Sequence, residues 1–152
     1  MDGMRTAVRA MVVKDDALLV MHRNKFGKEY YTLIGGAVKP HETNEQALTR
    51  ELREEAGIVV TAPTLVIVEE AGQPFGTQFV YWCEYHSGTP ALSADSEEAK
   101  IGNAGNNTYR PEWLPIERLA DVTFVTPQLQ KALIKGILNG FSSRPLELNS
   151  VA

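Results

Sequence analysis

Three carboxylates, Glu51, Glu54 and Glu55, and two guanidiniums, Arg50 and Arg53, fall in a single short run, RELREE. A helix advances about 100° per residue. The three glutamates would therefore share an arc of about 100° on one side, with Leu48, Leu52 and Ala56 as an adjoining apolar stripe. Like charges three or four positions apart repel by a few tenths of a kcal/mol per pair. Such a face either spreads its charge into water or holds a cation between its carboxylates. The donors are hard oxygens, which suit Mg²⁺ or Mn²⁺ and not a soft metal. Arg50 precedes Glu54 by four positions, the spacing of a helical ion pair, and is expected to hold that carboxylate in place.

The flanking residues supply the element that this arrangement needs. Thr43 is a good N-cap, and Gln46 stands three residues on, as in a capping box. Strong helix formers run from Asn44 to Ala56 without Gly or Pro, and Gly57 supplies a C-terminal stop. The predicted helix spans Asn44 to Ala56. Before it, Lys39-Pro40-His41 breaks any strand, and Gly35-Gly36 lets backbone turn sharply or approach a ligand closely.

Read with its spacing, this stretch resembles the Nudix box: Gly36, then Glu42, Arg50-Glu51-Leu52, Glu54-Glu55 and Gly57-Ile58, with every fixed position filled. A match over so many spaced positions is far more specific than a lone glycine motif. The resemblance implies an α+β protein, an α/β/α sandwich in the Nudix fold with a mixed β-sheet between helices. It implies hydrolysis of the pyrophosphate bond in a nucleoside diphosphate derivative with Mg²⁺ or Mn²⁺. It makes Glu51, Glu54, Glu55 and the Gly35 carbonyl metal ligands, Glu42 a support in the loop and Arg50 an orienting partner. Glu51 becomes the first candidate for general base. The chemistry is consistent: cations bridging a diphosphate neutralise its charge and acidify a bound water, and a carboxylate takes the proton. A regulatory Nudix domain that binds a nucleotide without hydrolysing it is the alternative, and such domains usually lose box carboxylates that this chain keeps.

Composition agrees with a globular, anion-handling protein. The chain has 152 residues, a net charge of −4 and 43% hydrophobic residues, enough for one domain with a real core. No basic patch points to long nucleic acid. The single Cys83 lies in the apolar run FVYWCEY, which reads as a buried strand thiol and fits a reducing compartment. No apolar run is long enough to span a membrane and no signal-peptide core is apparent, so the expected location is cytoplasmic.

Around the box, periodicity predicts strands over Met4–Lys14 and Ala17–Arg23 joined by a turn at Asp15-Asp16, then a polar loop over Asn24–Glu29 and a strand over Tyr30–Ile34. Arg5 and Arg9 would share one strand face, open to water or to a phosphate. After the helix come a strand from Ile58 to Glu70 broken at Pro63, and the strongest strand signal in the chain, Thr77–His86. That alternation sets Tyr81 and Cys83 on one side and Trp82 on the other, one side facing the core and the other open to a pocket. The expected substrate contacts are Arg23, Tyr81 and Trp82, the aromatics because their faces suit a nucleobase, with packing in the core as the alternative for both; His22 and Lys25 lie near the same entry.

Ser87–Asn107 reads as one long polar loop, unusual in a small domain and often functional. It carries Asp95, Glu97 and Glu98, and Glu98 is the candidate for a further metal ligand, with Glu112 in the strand Tyr109–Pro115 as its rival. Ile116–Ala120 reads as a short helix. Thr126 and Pro127 open a last helix whose core stripe is Leu129, Leu133, Ile134, Ile137 and Leu138. A single domain over residues 1–141 and a loose tail over 142–152 follow, the tail free to order against a partner subunit in a homodimer. Pro74, sixteen residues after Ile58, resembles a mark of ADP-ribose pyrophosphatases. A nucleoside triphosphate or oxidised nucleotide is the equal alternative, and dinucleotides or nucleotide sugars remain open.

Overall fold

The computed structural model describes residues 6–94, 96–102 and 105–151; Arg5 and Asp95 lie outside them. Strand β1 (Thr6–Lys14) turns into β2 (Ala17–Lys25) through Asp15 and Asp16, whose φ angles of 51° and 61° are those of a tight hairpin turn. The polar loop expected after β2 is instead a second tight hairpin. Strand β2 continues to Lys25, and Phe26-Gly27 turns it into β3 (Lys28–Thr32), which pairs antiparallel with it from Lys25↔Lys28 to Met21↔Thr32. Phe26 takes the turn at φ 52°, a conformation that its residue type does not advertise.

Strand β4 (Ile34–Ala37) leads into the box, and helix α1 (Asn44–Ala56) follows where expected. Both halves of the capping box form: Gln46 N–H donates to Thr43 Oγ1 (3.1 Å) and Thr43 N–H to Gln46 Oε1 (2.9 Å). Gly57 closes the helix with φ 65°. Strand β5 (Val59–Glu70) runs through Pro63 without ending; the register shifts between Thr61 and Thr64, so the proline sits in a bulge and not a break. Strand β6 (Thr77–Ser87) pairs parallel with β1 and antiparallel with β5, at the centre of the sheet.

The long loop contains a short helix, α2 (Glu97–Gly102), before β7 (Asn107–Pro115) pairs with β2. A 3₁₀ turn at Ile116–Arg118 and helix α3 (Pro127–Asn139) follow, with Thr126 Oγ1 accepting from Leu129 N–H at 3.0 Å. Leu129 and Leu133 are buried as expected. Leu138 is not: it is 71% exposed. The closing turn of α3 packs through Gly136, where the Phe141 ring lies so close that a Cβ would fall 2.0 Å from it. The expected loose tail is ordered against this chain's own sheet. Phe141 packs on Gly136 and Trp82, and Leu146–Asn149 forms β8, parallel to β5 from Ile67↔Leu146 to Glu70↔Asn149.

The eight strands make one mixed sheet in the order β3-β2-β1-β6-β5-β8, with β4 on β1 and β7 on β2. Strands β1 and β2 pair only at their hairpin end, Val13↔Leu18 and Lys14↔Ala17. Beyond it β1 turns to β4 and β2 to β3 and β7, so the sheet forks. Val8, Val12, Tyr81 and Cys83 pack with Leu48 and Leu52 of α1 on one face. Met11, Ile67 and Val80 pack with Leu129 and Leu133 of α3 on the other. This is the expected sheet between helices. It also means that both sides of β6 are covered. Among the described residues no helix is long and apolar enough to cross a membrane.

Candidate active site

The fork opens a cleft of about 460 Å³. One arm contributes Met21, Arg23, Tyr30, Thr32 and Tyr109; the other contributes Arg9 and Gly35–Ala37; α1 closes the floor with Arg50, Glu51, Glu54 and Glu55. Glu97 and Glu98 reach in from α2, and Phe75 from the loop between β5 and β6.

The helix face is as the spacing requires. Glu51 and Glu55 are each 8% exposed, while Glu54 is half-buried. Burial pushes the Glu51 carboxyl up, and Arg50 works against that shift. Glu55 is pushed up to about 9 by burial, by the neighbouring Glu51 charge and by a hydrogen bond with Glu98. Two carboxyls in such contact must share a proton or a cation. Glycine makes the close approach to Glu51 possible: a Cβ on Gly36 would fall 2.2 Å from its Oε2. At Gly35, φ is 154° and a Cβ would fall 1.9 Å from the Val8 carbonyl oxygen.

Arg50 makes the expected ion pair with Glu54, but its closest bonds go to the loop. Its Nε donates to Glu42 Oε2 at 2.7 Å and Nη2 to Glu42 Oε1 at 3.0 Å. A further Nη2–H donates to the Ala37 carbonyl at 3.1 Å. Glu54 is only a 3.5 Å ion pair, and Glu51 one of 3.4 Å. The forked guanidinium satisfies a forked carboxylate better than a neighbour one turn along the helix can. Arg50 therefore straps the loop to α1. The same bonds, with one from Lys39 N–H, hold Glu42 down at about 2 and raise Arg50 further above its ordinary value.

Of the expected substrate contacts, Arg23 lies in the cleft and the two β6 aromatics do not. Arg23 is buried under Tyr109, its guanidinium 3.7 Å from the ring centroid, and donates to Tyr30 Oη at 2.7 Å and to the Asn107 side chain. Tyr81 lies under α1, its hydroxyl accepting from Asn44 Nδ2 at 3.2 Å. Trp82 is on the α3 face against Phe141, with Nε1–H donating to Glu84 at 3.0 Å. Both belong to the two cores, because β6 is covered on each side.

Glu98 faces Glu55 in the cleft. Glu112 points elsewhere, its Oε1 accepting from Arg110 at 3.2 Å and standing 3.4 Å from His22 Nδ1. His22 is thus engaged outside the cleft, stacked on Tyr31, and Lys25 is exposed at the hairpin end of β2. Pro74 is outside the lining, but the next residue, Phe75, is in it. Phe75, Tyr30 and Tyr109 escaped sequence reasoning. Each carries an ordinary loop or strand signal, and only the fork brings them together.

The oxygen-only donor set of Glu51, Glu54, Glu55 and Glu98 fits a hard divalent cation by its chemistry. Among the described residues, no three acidic, His or Cys side chains already converge as a metal centre.

Comparison with known proteins agrees with this arrangement. The chain is 30% identical over 78 residues to the NAD-capped RNA hydrolase NudC of Stutzerimonas stutzeri, covering 51% of this chain and 28% of that protein. It is 32% identical over 91 residues to the 8-oxo-dGDP phosphatase NUDT18 of Mus musculus, covering 59% and 28%. The chain thus spans little more than a quarter of the length of these curated relatives. Its fold is similar to that of an ADP-ribose pyrophosphatase from Streptococcus suis, with a TM-score of 0.65, 16% identity and coverage of 95% and 98% of the two chains. A family model, the NUDIX domain, matches residues 3–133. With the box helix, its glycines and its carboxylates in one cleft, the chain belongs to the Nudix family.

Proposed function

We propose that this chain hydrolyses the pyrophosphate bond of a nucleoside diphosphate derivative with Mg²⁺ or Mn²⁺. The observation that carries the reading is the Glu51–Glu55–Glu98 group, carboxyls crowded and partly desolvated in a cleft whose other wall is cationic and aromatic. A divalent ion held there would neutralise the diphosphate and acidify a water. Glu51, Glu54, Glu55 and Glu98, with the Gly35 carbonyl, are the groups to hold it. Glu51 is the candidate to accept the water's proton, and Arg50 ties the loop to α1 through Glu42. Arg23, Tyr30, Tyr109 and Phe75 offer a stacking surface for the base or ribose end. The substrates named for the relatives, an NAD cap, an 8-oxo nucleotide and ADP-ribose, share that diphosphate and define the panel. Buried, reduced Cys83 is compatible with a cytoplasmic location.

The test is chromatography of products from NADH, ADP-ribose, nucleoside triphosphates, 8-oxo-dGTP, 8-oxo-dGDP and nucleotide sugars with either metal. Cleavage between phosphates is expected for at least one. Glu54→Gln and Glu55→Gln should each lower kcat by about two orders of magnitude or more while the far-ultraviolet circular dichroism stays unchanged. Undiminished turnover in both variants would refute the metal assignment. Stoichiometric nucleotide binding with no product would favour a regulatory domain instead.

A further inference from the structure

The family match ends at residue 133, yet a residue well beyond it is tied to the cleft. Arg9 stands opposite Gly35 in the β1–β4 pairing and alternates with Val8 and Ala10, so it leaves the α1 face and enters the fork. Its Nε donates to Gln78 Oε1 at 2.8 Å and its Nη1 to the Leu33 carbonyl at 3.0 Å. Gln78 Nε2 donates in turn to Glu69 Oε1 at 2.8 Å. The other oxygen of Glu69 accepts from the hydroxyls of Thr126, the cap of α3, and of Ser150 just past β8, the latter at 2.6 Å. Arg9, Gln78 and Glu69 are 9%, 3% and 0% exposed.

The chain of bonds has one polarity. A guanidinium only donates and a carboxylate only accepts, so the Gln78 amide has its two ends assigned and cannot be flipped. Buried polar groups satisfied in this way rigidify one arrangement. A buried cation anchored from behind and opening on a cleft of carboxylates is suited to a multiply charged anion, with the planar fork matched to phosphate oxygens.

We propose that Arg9 is a diphosphate-contacting residue, and that Ser150 and Glu69 are positioning residues that hold its guanidinium in register through Gln78. The strand β8 segment is thereby part of the site's machinery. This rests on the diphosphate reading of the cleft, and the test separates the two.

Inorganic pyrophosphate is titrated calorimetrically into the full chain in Mg²⁺, with unfolding followed in parallel. Arg9→Lys keeps the charge but not the fork, and should raise the pyrophosphate Kd about tenfold. Ser150→Ala should raise it about threefold in the parent and leave it unchanged, within about 1.5-fold, on the Arg9→Lys background. Ser150→Thr, which keeps the hydroxyl, should restore parent affinity. With any nucleotide that is turned over, both single variants should raise KM more than they lower kcat. An unchanged Kd in Arg9→Lys, equal effects of Ser150→Ala on both backgrounds, or no pyrophosphate binding by the parent would each overturn the proposal. Failure of every nucleotide to turn over, with the Kd pattern intact, would refute hydrolysis and leave the anion relay standing.

Discussion

The adjacent glycines Gly35 and Gly36 make different demands, and substitution separates them. At Gly36 the added methyl meets the end of a side chain, Glu51 Oε2 at 2.2 Å, which can swing aside. Gly36→Ala should therefore leave the unfolding midpoint within about 2 °C while lowering kcat about tenfold or more, because the carboxylate is displaced from its place by the loop. At Gly35 the methyl meets backbone, the Val8 carbonyl oxygen at 1.9 Å, with φ at 154°. Gly35→Ala should destabilise by more than about 1 kcal/mol, measured by urea unfolding. Cys83 makes a prediction of another kind. It is 2% exposed and burial pushes its thiol from 9.0 up to about 12. The native protein should resist thiol reagents at pH 8 and react only on unfolding. The folded state holds that proton more tightly than the unfolded, so this group's contribution to stability is complete below about pH 9 and is lost as pH rises towards 12. At this scale the carboxylates, the glycines and the buried thiol were legible, since residue type and spacing alone carry them. The closer partner of Arg50 was not. Helical spacing offered Glu54, and the fork–fork geometry with Glu42 depends on how the loop folds back.

Among the elements, α1 was legible to both ends because its signals are local: a capping box, a run of helix formers and a terminal glycine. Helix α2 was not, since none of its residues is buried and an unburied helix has no apolar period to read. Strand β8 hid for the same reason. Its residues are mostly exposed, and it is held by backbone pairing to β5. The bulge at Pro63 shows how an apparent terminator can be absorbed within a strand. The strap from the loop to α1 yields a pH prediction. Glu42 is held down from 4.5 to about 2, chiefly by its hydrogen bonds with Arg50. Its contribution to stability is complete above about pH 4.5 and is lost as pH falls towards 2. Glu42→Gln should flatten that part of the acid limb in a urea-unfolding series against pH, and the parent and variant curves should converge near pH 2.

For the whole molecule, the decisive feature is the fork between β1 and β2. It follows from strand pairing at long range, which no window of sequence records, and it sets Arg23, Tyr30, Tyr109 and Phe75 around one space. The same long-range pairing makes the chain beyond α3 structural. Strand β8 covers the edge of β5, and Ser150 supplies one of the hydroxyls on Glu69, which is 0% exposed. Removing residues 142–152 would uncover the β5 edge and leave a buried carboxylate short of a donor. Thr126 and Gln78 still donate to Glu69, but losing one hydrogen bond to a charged group costs about 1.5–3 kcal/mol, and about 2–4 °C accompanies each kcal/mol in a domain of this size. The truncated chain should therefore unfold at least about 3 °C below the parent in calorimetry. It should also scatter more light on standing at high concentration, as the bare β5 edge pairs between molecules. A truncated chain with the parent's midpoint and no added scattering would show that β8 rests on the sheet without supporting it.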